Sequence, residues 1–275
     1  MILRLLALLS FTSLAAQELP ANFQTNKLVA WCIVPFDASK RTPEQRAVML
    51  KELGLTRSAY DWRKEHIPTF EEEILAYKKH GIEFFAFWGE HPEAFRLFEK
   101  HKIQPQIWKM FPSPKENTQE EKITAAAKHL EPLAKRASAI NCKLSLYNHG
   151  GWSGEPANLV AVCKKLHEFG HDHVGIVYNW HHGHPSIDTW RQDLTLMKPY
   201  LHCLNLNGMK IGKEFKILPL GQGDHESSMM QTLIASGYSG PIGILDHRND
   251  TDAKVALKAN LDGLKKLSVS LKRER

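Results

Sequence analysis

Residues 174–185 read Val-Gly-Ile-Val-Tyr-Asn-Trp-His-His-Gly-His-Pro. A short β-branched run of the kind that forms a buried strand passes within two residues into an amide, an indole and imidazoles. The active residues of parallel barrels sit at the carboxyl ends of their strands, so this change of character predicts a strand opening onto a polar mouth. A single histidine in such a loop ordinarily satisfies backbone groups. His181, His182 and His184 together ask for a chemical reason.

Working outward, the same alternation extends in both directions. Upstream, strand-like segments at 27–36, 57–63, 82–88, 105–111 and 143–148 are separated by helix-like ones at 42–54, 69–80, 92–101 and 118–140, with another at 156–169. Thr42-Pro43-Glu44 supplies a capping residue, a proline at the first helical position and an early carboxylate, and Gly54 and Gly81 close helices. Downstream come a helix at 187–197, a strand at 201–206, a helix at 226–235, a strand at 242–246 and a helix at 253–267. Alternating apolar residues at 215–220, inside the longer connection 207–225, predict a small hairpin. Eight strand–helix pairs in about 250 residues predict a single (β/α)8 barrel of the α/β class. A doubly wound dinucleotide-binding sheet would want a glycine fingerprint after its first strand, and none is there.

Within the 275 residues, 43% are apolar, ample for one large core. Residues 1–16 carry Arg4, an apolar run over 5–14 and small residues at Ser13, Ala15 and Ala16, the pattern of a secretory signal peptide. The expected domain is therefore 17–275, secreted or periplasmic, and no later stretch has the roughly 18 apolar residues of a spanning helix, so no membrane association is expected after cleavage. Cys32, Cys142, Cys163 and Cys203 show no paired spacing and are expected as buried free thiols. The net charge of +6 is dispersed and partly a basic tail, which speaks for solvated surface and against a nucleic-acid partner.

On a barrel the strand ends define the candidate site. Asp61, Trp62, Trp88 and Lys109 lie at the ends of strands two to four; Tyr147, Asn148, His149 and Trp152 follow strand five. Asn179, Trp180 and His182 follow strand six, Asn205 and Asn207 strand seven, and His247 strand eight. Indoles offer flat faces to the C–H side of a sugar, and asparagines offer both donors and acceptors to hydroxyls, so a small carbohydrate is the expected ligand. His149, His182 and His247 are the candidate catalytic imidazoles. Either they hold zinc or another borderline divalent ion with a position left open, or one serves as general base while Lys109 or Tyr147 stabilises an enolate. Histidines that hydrogen-bond a sugar are preferred to a three-histidine metal site. Asp61 and Arg63, two apart in a strand, are expected to pair as ions. Gly221 to Asp224 precede a helix as a phosphate cradle would, but Asp224 and Glu226 repel anions, so a sugar phosphate is not expected.

Tyr147-Asn148-His149-Gly150-Gly151 resembles the fifth-strand motif of the xylose-isomerase-like barrels, in which a glutamate precedes Asn-His-Gly. Asn179-Trp180-His181-His182 resembles their sixth-strand motif, an aspartate followed three residues later by histidine. Residues 221–224, 237–241 and 260–264 resemble the C-terminal third. The resemblance implies a sugar isomerase or epimerase and one divalent cation held by glutamate, aspartate, histidine and glutamate on strands five to eight. Here those positions correspond to Tyr147, Asn179, Asn205 and Leu245 or Asp246. A phenol, two amides and at most one carboxylate do not offset the dehydration of magnesium or manganese, so the usual metal site is expected to be absent. The resulting expectation is a secreted carbohydrate-active enzyme of the isomerase, epimerase or lyase kind, abstracting a proton beside a carbonyl. The alternatives are a non-catalytic carbohydrate-binding barrel and, third, an endonuclease.

Overall fold

The structure, a computed structural model, describes residues 19–212 and 217–273. The expected signal peptide lies outside the described residues, as does the first part of the hairpin expected at 215–220. The remainder of that hairpin is a single antiparallel bridge between Gly208 and Leu218.

Eight strands alternate with eight helices: β1 (Leu28–Trp31), α1 (Pro43–Glu52), β2 (Arg57–Tyr60), α2 (Phe70–His80), β3 (Glu83–Trp88), α3 (Pro92–His101), β4 (Gln106–Lys109) and α4 (Gln119–Ala139). The second half continues with β5 (Leu144–Tyr147), α5 (Pro156–Glu168), β6 (Val174–Asn179), α6 (Trp190–Met197), β7 (Leu201–Leu206), α7 (Glu226–Ala235), β8 (Ile242–Leu245) and α8 (Ala253–Arg273). Each strand pairs in parallel with the next, and β8 closes onto β1 through Leu28–Ile242 to Trp31–Leu245. The chain is a single (β/α)8 barrel. Local chemistry agrees with the boundaries. Thr42 and Thr118 each form a reciprocal capping box, with Gln45 and Glu121, and Gly81 ends α2 in the left-handed conformation with φ 69°.

Strand alternation divides the core in two. Outward residues fill the layer between sheet and helices, where Trp180 packs edge-on against Trp190 with ring centroids 5.5 Å apart. Inward residues fill the barrel itself, which is packed for most of its depth. At its amino end the Ser145 hydroxyl meets His202 Nδ1 at 2.9 Å, and Trp108 Nε1 donates to Gln106 Oε1 at 2.9 Å. Gly175 is required beside them, because a Cβ there would run into the His202 ring. Burial pushes the His202 imidazole down to about 3, so it sits in the fold as a neutral ring. Above this layer Trp31 occupies the barrel axis, 4.8 Å from Trp108, 5.7 Å from Trp88 and 6.3 Å from Tyr147 between ring centroids. The cavity at the carboxyl end of the barrel lies above this packing. All four cysteines are buried and free.

Candidate active site

The expected first strand, 27–36, is interrupted early. Cys32 has φ +56°, a left-handed conformation that a side chain disfavours, and pairing stops at Trp31. His247, just past β8, has φ +75°. These two strained residues face each other, with Cys32 Sγ 3.4 Å from His247 Nδ1. Backbone strain of this kind persists only where the surroundings hold it, commonly at functional sites. The turn redirects the chain so that Phe36 stacks on the His247 ring at 4.1 Å.

The strand ends enclose a cavity of about 90 Å³ lined by Trp31, Cys32, Phe36, Asp61, Arg63, Trp88, Tyr147, His149, His182 and His247. His149 and His182 have ring centroids 4.6 Å apart, His182 and His181 3.7 Å, and His181 and His247 5.2 Å. The three histidines read from the sequence therefore lie on one arc, with His181 as a fourth member between them. Tyr147 packs edge-on against Trp88 at 4.4 Å, and its hydroxyl lies beside Trp31 and Asn179. Burial holds that phenol well above its usual range, so it remains a hydrogen-bond donor at neutral pH.

Asp61 closes the opposite side. It is 2% exposed; Oδ1 accepts from the Val34 N–H at 3.4 Å, while Oδ2 has no hydrogen-bond partner among the described residues. Burial raises this carboxyl to about 7 against the opposing pull of Arg63. The ion pair expected between Asp61 and Arg63 does not form. Arg63 instead lies over the Phe36 ring, 5.2 Å from its centroid, and donates to the Trp62 carbonyl at 2.8 Å.

Other residues from the sequence reading have different places. Asn179 and Asn205 are fully buried below the rim, and the Asn179 amide and Asn205 Nδ2 have no hydrogen-bond partner. Asn148 grips the β6 backbone, accepting from the Asn179 N–H at 2.7 Å and donating to its carbonyl at 3.0 Å, so it braces the site from behind. Asn207 donates to the Gly208 carbonyl. Trp62 donates to the Trp88 carbonyl and packs edge-on against Phe70 and His91; Trp152 donates to Gln119; Trp180 is in the outer layer. Lys109 pairs with Glu90 at 2.8 Å. None of Trp62, Trp152, Trp180 and Lys109 lines the cavity. The cavity does take in Trp31, Cys32 and Phe36, which the sequence reading had not assigned to the site. An unbroken Ala-Trp-Cys-Ile-Val run gives no sign of a left-handed residue in its middle.

The β8 register settles which side chains occupy the family's metal positions. Leu245 points into the barrel against Trp31, and His247 lines the cavity on the same side. Asp246 is held by Arg248 at 3.1 Å, and burial raises its carboxyl to about 7. The inward groups on β5 to β8 are thus a phenol, two amides and an isobutyl chain, which do not fit a magnesium or manganese ion. Among the described residues no three His, Cys, Asp or Glu side chains are disposed to hold one metal.

A closed parallel barrel with polar chemistry gathered at its carboxyl end defines the class of (β/α)8 enzymes and binding proteins. Within that class the sequence matches the xylose isomerase-like TIM barrel family over residues 12–267, and the chain belongs to it. Among curated proteins none matches in sequence. Solved structures with the same fold include 3-keto-D-glucoside 4-epimerase YcjR from E. coli, at 14% identity and a TM-score of 0.66, covering 88% of this chain and 98% of that one. The probable 3-DHS dehydratase AsbF from Bacillus anthracis aligns at 11% identity and a TM-score of 0.65, covering 86% and 98%. D-psicose 3-epimerase from Clostridium cellulolyticum aligns at 12% identity and a TM-score of 0.59, covering 89% and 98%. At such identities the likeness is one of fold.

Proposed function

We propose that this protein is an exported enzyme of the isomerase, epimerase or lyase kind that removes a proton beside the carbonyl of a keto-sugar or sugar derivative. The observation that carries this reading is the juxtaposition of the His149–His182 pair with the Tyr147 phenol in one aromatic-walled cavity. An imidazole is suited to accept a carbon-bound proton near neutral pH, and a protonated phenol donates to the oxygen on which the enolate charge develops. The buried Asn179 side chain lies beside the Tyr147 hydroxyl. Trp31 and Trp88 form apolar walls for the C–H face of the sugar. A cavity of about 90 Å³ has the volume of roughly three waters, enough for a carbonyl carbon and its neighbours. The remainder of the substrate extends into the mouth. Similar folds named for 3-keto-glucoside and psicose epimerisation support a keto-sugar substrate, and the signal-like sequence pattern over 1–16 supports export.

His182→Gln tests the assignment. The variant is expected to slow exchange of the substrate's carbon-bound proton by about 10²–10⁴, the usual worth of a positioned base, with sugar binding measured by calorimetry retained. Unchanged exchange would remove His182 from the chemistry.

A further inference from the structure

The inward groups of the mouth are not distributed evenly around the ring. In a closed ring of eight strands β2 and β6 are four steps apart in either direction and so stand diametrically opposed. Asp61 directly follows β2, and His182 lies in the turn directly after β6, with His149 packed against it from β5. All three line the same cavity, which therefore has a carboxyl on one wall and an imidazole pair on the other. Asp61 also presents the one feature a buried carboxyl ordinarily lacks, an oxygen with no hydrogen-bond partner. Its other oxygen is tied to the Val34 N–H, which fixes the carboxyl plane and leaves Oδ2 for a ligand.

Resting on the proton-transfer reading above, we propose that Asp61 and the His149–His182 pair are two acid–base groups on opposite faces of one substrate carbon, making the enzyme an epimerase. One group takes the proton from the carbon beside the carbonyl, and the C–H electron pair forms the carbon–carbon double bond of an enolate whose charge rests on the carbonyl oxygen, facing Tyr147. The group opposite then gives its own proton to the other face of that carbon, and the carbonyl reforms. No electrons are gained or lost overall. The carbon is inverted, and each group ends with the protonation state its partner began with, restored through water. Groups on one wall would instead carry a proton between adjacent carbons on the same face, as aldose–ketose isomerisation requires. Burial raises Asp61 to about 7, so both its forms are present near neutrality, as a group that serves in both directions needs.

The test uses the full mature protein with two epimeric probe pairs in D2O: D-fructose with D-psicose, and methyl 3-keto-glucoside with its C4 epimer. Asp61→Asn and the double variant His149→Gln/His182→Gln are compared with the wild type by proton NMR, after circular dichroism shows both folded. The wild type is expected to invert a pair and to place deuterium in both members. Each variant is expected to lose inversion by 100-fold or more, yet to keep exchange into one member of the pair, a different member for each variant. Variants that lose exchange into both members equally, or an Asp61→Asn protein that still inverts at the wild-type rate, would overturn the role of Asp61 while leaving proton abstraction in place. A wild type that exchanges neither pair would overturn the proton-transfer reading itself and this assignment with it.

Discussion

Replacing Asp61 by asparagine should make the protein more stable, and by an amount that depends on pH in a specific direction. The carboxyl is raised from an ordinary 3.8 to about 7 because burial disfavours the anion more than Arg63 and the more distant Arg46 favour it. The neighbouring Cys32, Tyr60 and Tyr147 are themselves pushed up by burial, so they stay neutral and add no negative charge beside it. A folded pKa above the unfolded one means that the folded state holds its proton longer. Stability from this group is fully present below about 3.8 and is lost as the pH rises through about 7. The separation is equivalent to about 4 kcal/mol, carried as a cost at pH 8. Asparagine has the same shape and no charge to lose. Urea unfolding of both proteins at pH 4, 6 and 8 should show a stability difference in favour of the variant that grows by up to about 4 kcal/mol across this range, on the order of 10 °C in Tm. A difference that stays flat, or that moves against the variant as pH rises, would show that the carboxylate is stabilised in the fold. The reasoning about an open ligand position at Oδ2 would then fail. Such a residue, kept at a cost to stability, is what a functional rather than a structural carboxyl predicts.

Two further outcomes follow from the barrel interior. His202 is held neutral down to about 3, below its unfolded value of 6.5, so the fold loses stability as pH falls between those values; His202→Gln should flatten that part of the acid unfolding curve by about 5 kcal/mol relative to wild type. Equal acid slopes in the two proteins would contradict a buried neutral ring. Gly243→Ala places a methyl group against the Asn205 amide, and should cost about 1–3 kcal/mol in denaturant titration while weakening sugar binding through displacement of that amide. A fully stable Gly243→Ala protein with native affinity would mean that Asn205 has room to move and no part in the site.

The barrel was readable because hydrophobic alternation, caps and glycine stops are local signals, and all eight strand–helix pairs appear where those signals lie. The site was readable only in part. His149, His182 and His247 converge because strand ends in a closed ring must converge, whatever the loops do. Trp180 shows the limit. It directly follows Asn179, and one step along a pleat turns a side chain from the barrel interior to the helical layer. Trp62, Trp152 and Lys109 stand close to strand ends in sequence but are drawn aside by the Trp88 carbonyl, Gln119 and Glu90, partners brought in by the fold. Asp61 and Arg63 share a face as alternation requires, yet the guanidinium prefers the Phe36 ring, a residue delivered by the unforeseen turn at Cys32. Direction along a strand is written locally. The company a side chain keeps is a tertiary matter.

The most direct test of the account is solvent exchange by the unaltered protein. The chain from residue 17 onward is incubated in D2O with ketohexoses and 3-keto-glucosides, and the resonance of the C–H beside the carbonyl is followed by proton NMR. The account predicts that this signal disappears for at least one sugar at a rate proportional to enzyme concentration, and that the epimer accumulates alongside it. Retention of the proton in every sugar that binds would contradict proton abstraction and leave the barrel a carbohydrate-binding protein.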